Sequence, residues 1–408
     1  TPGGTNAPPL MRGVVINELM YHPPSGDRDD EFIEIHRVGG PAIDLGGWRL
    51  DGGISVYFPP GTVLPADGYL VVARDRANLL TNYPGLGPAE VLGNYGGALA
   101  DGGETVRLEM PEDLVTIQNA VVVTNTVYIT VDEVTYRDGG RWGGWADGGG
   151  SSLELIDPRA DNRLASNWAD SDETTKSDWV TVEHTGVLDH GNDDIAINEL
   201  QLMLLGGGEC LVDDVEVISG GSGNFVPDGT FETGVDTWLL QGNHVASGWS
   251  DPGEGYAASR GLHLRAVSGG DNGANRLEAD LTAGLSSGST ATLRAKARWL
   301  RGHPDLLLRL QGNHLEAVGS LPIPRDLGTP GRPNSQARQN RGPAIVEVTH
   351  DPVLPGHLEA VTVFARVSDP DGLSNLRVRY RLDPAEETVV VPMTYRGAGW
   401  FSATPVSY

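Results

Sequence analysis

The chain has 408 residues, with 29 basic and 55 acidic side chains and a formal net charge of −26. That length suits two to four domains rather than one small one. The acidic excess leaves no surplus of cations to neutralise nucleic-acid phosphates or to hold an anionic membrane surface.

Glycine (56) and proline (27) fall between short β-rich runs, as in many-turned all-β proteins. Residues 1–12 are a Pro- and Gly-rich linker. Residues 13–170 form a first unit. Its apolar run Val14-Val15-Ile16-Asn17-Glu18-Leu19-Met20-Tyr21 leads into an acidic turn at Gly26-Asp27-Arg28-Asp29-Asp30, and Glu31-Phe32-Ile33-Glu34-Ile35-His36 alternates as a strand does. Ile43-Asp44-Leu45-Gly46-Gly47-Trp48-Arg49-Leu50 and Phe58 to Ala73 follow. Later strands are predicted at 104–109, 121–123, 128–131 and 132–136. Asp75 to Asn82 is one of few short helix candidates. The unit closes through Ser151-Ser152-Leu153-Glu154-Leu155-Ile156-Asp157-Pro158 and Asn167-Trp168.

This order of pieces resembles the lamin-tail domain in its bacterial, secreted form. The resemblance implies an immunoglobulin-like β-sandwich with no known catalytic chemistry. It also implies a Gly-Thr-Pro-Gly-x-Pro-Asn-Ser ending, found here only at Gly328-Thr329-Pro330-Gly331-Arg332-Pro333-Asn334-Ser335. Residues 171–327 therefore read as an insertion into the tail of the first unit. Within them, Asn224 to Gly234 followed by Trp238 resembles the opening strand of carbohydrate-binding modules with a galactose-binding-like jelly roll. The Asp-Asp-Val strand that usually closes that fold comes first here, at Asp213-Asp214-Val215, so a circularly permuted jelly roll is expected. A half-module packed on its neighbour is the other account. Residues 328–342 read as a linker. Residues 343–408 resemble an immunoglobulin- or fibronectin-type sandwich, cut short.

Several groups of residues invite a chemical reading. Calcium takes several oxygen ligands, and three acidic places offer them. The first is Asp27, Asp29, Asp30 and Glu31, and the third is Asp170, Asp172, Glu173 and Asp178. The second, Asp213 and Asp214 with Glu232, is the one that the jelly-roll resemblance implies as a structural calcium site. A solvated acidic surface fits each of the three as well. His22 and His36 flank the acidic turn as strand-end imidazoles or as a shared metal pair.

Sugars are held by aromatic faces and polar rims. The inserted unit offers Trp249 in a polar loop, Tyr256, Asn243, His244 and Arg276 as candidate ligand contacts. Trp238 reads as core, and Trp299, near Arg298 and Arg301, as a strand residue stacked by arginine. Gln-Gly-Asn-His occurs twice, at 241–244 and 311–314. The loop Arg141-Trp142-Gly143-Gly144-Trp145 is either a contact surface or a tucked plug. Cys210, the single cysteine, reads as a buried inert thiol and excludes an intrachain disulfide.

No hydrolase elbow, phosphate-binding loop, zincin histidine pair or kinase set is present in the sequence. No segment reads as a signal peptide or a membrane span. The expectation is an all-β, multidomain, non-enzymatic piece of a longer secreted or cell-surface protein. Its partner is a polysaccharide or a surface or matrix component, or a second copy of itself. The family resemblance adds a further alternative, an accessory region beside a spore-coat-type (CotH-like) kinase domain.

Overall fold

Two-residue alternation builds the first sheet. Phe32–Arg37 pairs antiparallel with Val14–Met20 on one side and Tyr69–Ala73 on the other. Leu153–Leu155 and then Trp168–Asp170 extend this sheet at one edge, and Val91–Gly93, parallel to Tyr69–Ala73, ends it at the other. A second sheet runs in the order Val121–Thr135, Thr105–Gln118, Arg49–Gly52, Ile54–Tyr57, Gly96–Gly97. Ile16, Leu19, Ile33, Ile35, Leu50, Val106, Leu108 and Val134 fill the space between them. These coordinates are a computed structural model that describes residues 13–118, 121–189, 191, 194–221, 223–271, 273–357, 359–381 and 387–405. The proposed linker 1–12 and the last three residues of the third unit lie outside the described residues.

Arg76–Asn82 is the one α-helix among the described residues, at the stretch the sequence marks out. Asp75 caps it by accepting hydrogen bonds from the Ala77 and Asn78 amides. The hairpin of Thr105–Gln118 and Val121–Thr135 outruns its sheet. Only Val106 to Glu109 pair with Arg49–Gly52, so the far part projects as an arm.

Between residues 171 and 327 the chain builds a second sandwich of two five-stranded sheets. One runs Val180–Val187, Thr290–Gly302, Gly208–Ser219, Leu262–Ala266, Gly248–Trp249. The other runs Leu239–Leu240, Leu277–Leu285, Ile197–Leu204, Asp305–Leu310, Glu316–Ser320. The strand that contains Asp213 and Asp214 is the central one of its sheet. Cys210 is fully buried in this core, and burial pushes its thiol up, well out of the reactive range. Trp238 is buried against Phe231, with ring centroids 5.6 Å apart. Trp299 differs from the sequence expectation. The register pairs it with Cys210 on the inward face, so it is fully buried, and its indole nitrogen donates to the Gly302 carbonyl at 2.9 Å. The arginines on either side stack elsewhere, Arg298 over Trp179 and Arg301 over Trp145.

The third unit has a sheet in the order Ala344–Asp351, Thr362–Ser368, Trp400–Ala403, Thr394–Gly397, and a separate hairpin of Arg377–Arg381 with Thr388–Pro392. Arg159 ties it to the first sandwich by pairing with both Asp157 and Asp371. The chain is thus an all-β, multidomain protein.

Candidate functional site

The densest group of acids lies on the outer face of the first sheet. Register places Glu18 opposite Glu154 on one side and Glu34 on the other, a row of three carboxylates across adjacent strands, all fully buried. Like charges directly opposite repel, and a buried carboxylate needs donors. Residues 328–336 supply them. The Thr329 amide donates to Glu18 at 2.8 Å and its hydroxyl to Glu154 at 2.6 Å. The Gly331 amide donates to Glu34, and the Ser335 hydroxyl and Gln336 amide to Glu154. Asn334 hydrogen-bonds Asn17 and the Leu155 carbonyl. Burial, then the charges of Glu154 and Glu34, raise Glu18 far above the usual carboxylate range. Burial lifts Glu34 to about 8.

Beside this row is the neck of the second sandwich. Glu173, raised by burial, accepts from the Gly328 amide at 2.8 Å and pairs with Lys176 at 2.8 Å. Lys176 also donates to the Asp326 and Gly328 carbonyls. The outgoing and returning chains are thereby stapled together. Two more acids of this third acidic place are engaged, Asp170 accepting from the Trp145 and Ala146 amides and Asp172 from Thr174, whereas Asp178 is exposed.

The acidic turn of the first unit is bonded in the same manner. Asp27 caps a short 3₁₀ turn, Asp30 accepts from Asn78 and Asn82, and buried Glu31 accepts from Tyr95 and the Leu99 amide. His22 and His36 are not brought together. His22 meets Asp147 at 2.6 Å, whereas His36 bonds the Gly68 carbonyl and stacks on Tyr69. Among the described residues, no group of three or more His, Cys, Asp or Glu side chains stands as metal ligands would.

An open site lies on the outer face of the second sandwich. Trp179 and Tyr256 form a corner, with ring centroids 5.7 Å apart and planes at 73°. Lys296 stands 4.9 Å from the Tyr256 centroid, and the Arg298 guanidinium 5.6 Å from that of Trp179. All four side chains are part-exposed. Buried Asp213 holds the loop that carries Tyr256. One of its oxygens accepts from the Tyr256 amide and the Ser259 hydroxyl, each at 2.9 Å, and the other from the Asp214 amide. Between those two anchors, Ala257 and Ala258 sit in the left-handed region at φ 54° and 64°, a cost for residues with a Cβ.

The other candidates from the sequence are dispersed. Of the second acidic place, Asp213 is spent on this loop, Asp214 is half-buried and Glu232 is exposed. Trp249 is 41% exposed, but its indole donates to the Phe231 carbonyl and Arg260 covers the ring at 3.9 Å. His244 is fully buried, pushed down to about 4 by burial, and accepts from the Leu204 amide at 3.0 Å. Asn243 holds Ser268 and Gly269. Both side chains are therefore loop pins, not free contacts. Arg276 immediately precedes the strand Leu277–Leu285 of the other sheet and pairs with Glu278. The repeated Gln-Gly-Asn-His forms a 3₁₀ turn at both places and buries its histidine each time. In the 141–145 loop, Trp142 packs on Trp168, and Trp145 lies against Arg301 of the second sandwich. The sequence does not mark Trp179, Lys296 and Arg298 as a site. Their signal is Arg294-Ala295-Lys296-Ala297-Arg298, cations alternating with alanines on one strand.

No curated protein and no solved structure matches this chain. The family model described as Lamin Tail Domain matches residues 9–138, less than half of the chain. The match ends before Leu153–Leu155 and Trp168–Asp170, which belong to the same sheet. With that match over the first sandwich, the chain is a protein that contains a lamin tail domain.

Proposed function

We propose that this chain is a non-catalytic binding and scaffolding region of a secreted or cell-surface protein, and that its second sandwich takes a glycan or matrix component at the Trp179–Tyr256 corner. The observation that carries this reading is that pair of part-exposed rings, 5.7 Å apart, beside two cations on an outer sheet face. A pyranose needs an aromatic wall for its C–H face and polar groups for its hydroxyl rim, and the corner supplies both. The non-catalytic part of the reading is supported by the carboxylate row, whose oxygens are spent on the returning chain rather than turned to a cleft. A glycan-array screen and pull-down of the whole chain test it. Retention lost in Trp179→Ala and kept in Trp249→Ala supports the corner as the site. No retention on any glycan overturns the reading.

A second reading, self-association, is favoured by the hairpin arm. Leu114, Val115, Val122, Val127 and Ile129 are all exposed there, on a ribbon whose outer strand is the last of its sheet among the described residues. Sedimentation velocity over a range of concentrations tests it. An oligomer that Val122→Lys dissociates supports this reading, and a monomer throughout removes it.

A further inference from the structure

The strand Thr290–Gly302 carries Arg294, Lys296 and Arg298 at alternate positions, so all three stand on the outer face of the sheet. Their surroundings differ. Arg294 is compensated by Glu183 and by Glu216. Lys296 and Arg298 have no carboxylate at ion-pair distance among the described residues. Lys296 donates to the Thr181 hydroxyl at 2.8 Å and lies over Tyr256. Arg298 lies over Trp179, and its Nε is buried without a hydrogen-bond partner. Burial, which penalises its charge, draws Arg298 below the ordinary arginine range.

Two acids are near. Asp213 is opposite Lys296 in the sheet, but its oxygens are engaged by the Asp214 and Tyr256 amides and the Ser259 hydroxyl. Glu254 favours the charge of Arg298 weakly from an exposed loop, beyond ion-pair distance. In a chain with almost twice as many acids as bases, two neighbouring cations thus stand without a carboxylate at ion-pair distance beside a corner of two part-exposed aromatic rings.

We propose that this corner binds an anionic sugar, a carboxylate- or sulfate-bearing residue of an acidic polysaccharide. The sugar ring stacks on the aromatic corner and its anionic group sits between Lys296 and Arg298. This rests on the glycan-binding reading above and narrows its ligand. The net charge of the chain does not forbid it, because fields are screened beyond about 8 Å at physiological ionic strength, so the local pair of cations governs the last step of approach. The strained loop fits the same role. Asp213 fixes Tyr256 by its backbone, so one wall of the corner is set before a ligand arrives.

Affinity electrophoresis of the whole chain in native gels tests this. The gels contain polygalacturonate, dextran sulfate or neutral hydroxyethylcellulose, each at low and high salt. The expected result is retardation by one or both acidic polymers, weakened by salt and at least about tenfold weaker in the Lys296→Gln, Arg298→Gln double variant. Arg294→Gln, on the same face but already paired, is expected to bind as the parent chain does. Retardation by polygalacturonate alone assigns a carboxylate, and by dextran sulfate alone a sulfate. Equal, salt-insensitive retardation by the neutral polymer overturns the anionic assignment and leaves the glycan reading standing. No retardation by any polymer overturns both. Equal losses in Arg294→Gln and the double variant also overturn the assignment, because bulk charge would then explain the binding. Near-ultraviolet circular dichroism of each variant separates lost binding from lost folding.

Discussion

Glu18 and Thr329 are 311 positions apart in sequence, and the Thr329 amide donates to the Glu18 carboxylate at 2.8 Å. The Thr329 hydroxyl meanwhile donates to Glu154 on the neighbouring strand at 2.6 Å. One residue thereby serves two buried acids at once, beside Ser152 on Glu18 and Ser335 and Gln336 on Glu154. Thr329→Val keeps the shape and the amide but removes the hydroxyl. It is expected to destabilise the chain by about 1–3 kcal/mol, because Glu154 keeps its burial and loses a donor. Urea unfolding followed by tryptophan fluorescence checks this, and an unchanged midpoint would show that water replaces the hydroxyl.

The same row predicts how stability varies with pH. Glu34 holds its proton up to about 8 in the folded chain, because burial opposes its charge, whereas the unfolded chain releases that proton near 4.5. Between those values the folded state binds more protons than the unfolded one. Stability therefore falls as pH rises through that window, by up to about 1.4 kcal/mol per pH unit for each retained proton, and levels off above it. Glu18, also raised, acts in the same direction. Chemical denaturation at pH 5, 6, 7 and 8 is expected to give the highest stability at pH 5. Glu34→Gln, which has no proton to lose, is expected to flatten the curve.

Two glycines form the seam between the sandwiches. A Cβ on Gly150 would meet the Trp299 ring at 2.5 Å, and one on Gly302 would meet Trp145 at 2.6 Å and the Gly207 carbonyl at 2.5 Å. Both have positive φ. Gly150→Ala is expected to cost about 1–3 kcal/mol by overpacking. Limited proteolysis should then cut near residues 145–150 sooner than in the parent chain. Equal rates would mean that the seam yields freely.

The Tyr256 loop predicts a gain. Ala257→Gly relieves a left-handed backbone position in a side chain that is exposed. It is expected to stabilise the chain by up to about 1 kcal/mol, the left-handed penalty less the extra entropy of glycine in the unfolded chain. Asp213→Ala is expected to do the reverse by freeing both anchors of the loop. Thermal melts of the two variants check the opposite signs.

Part of the fold is legible from alternation, as in the strand Phe32 to His36. Asp75 to Asn82 stands out as a short helix candidate, and the lamin-tail resemblance implies that the late Gly-Thr-Pro-Gly-Arg-Pro-Asn-Ser belongs to the first unit. The burial of Glu34 is not legible. Its place in an alternating strand suggests a solvated face, and only a segment 297 positions away makes that face interior. Trp299 fails for a related reason. Its neighbours Arg298 and Arg301 suggest stacking, whereas the pairing with Cys210 turns it inward. The corner of Trp179, Tyr256, Lys296 and Arg298 draws on three distant segments, so spacing along the chain says nothing of it. His244 looks like a ligand contact in the sequence because a polar loop residue and a loop pin have the same composition.

The stapled neck has a mechanical consequence. Glu173 meets Gly328, and Arg338 donates to the Ile156 carbonyl at 2.8 Å, so the covalent detour through residues 174–327 is bridged at its base. Traction between the start of the first sandwich and the third unit then runs through Val14–Met20, the carboxylate row and the segment 328–338. It loads those hydrogen bonds in shear and leaves the second sandwich slack. A ligand seated at the Trp179–Tyr256 corner is held by a part of the molecule outside the line of tension, and its grip is expected to outlast a pull that stretches the rest.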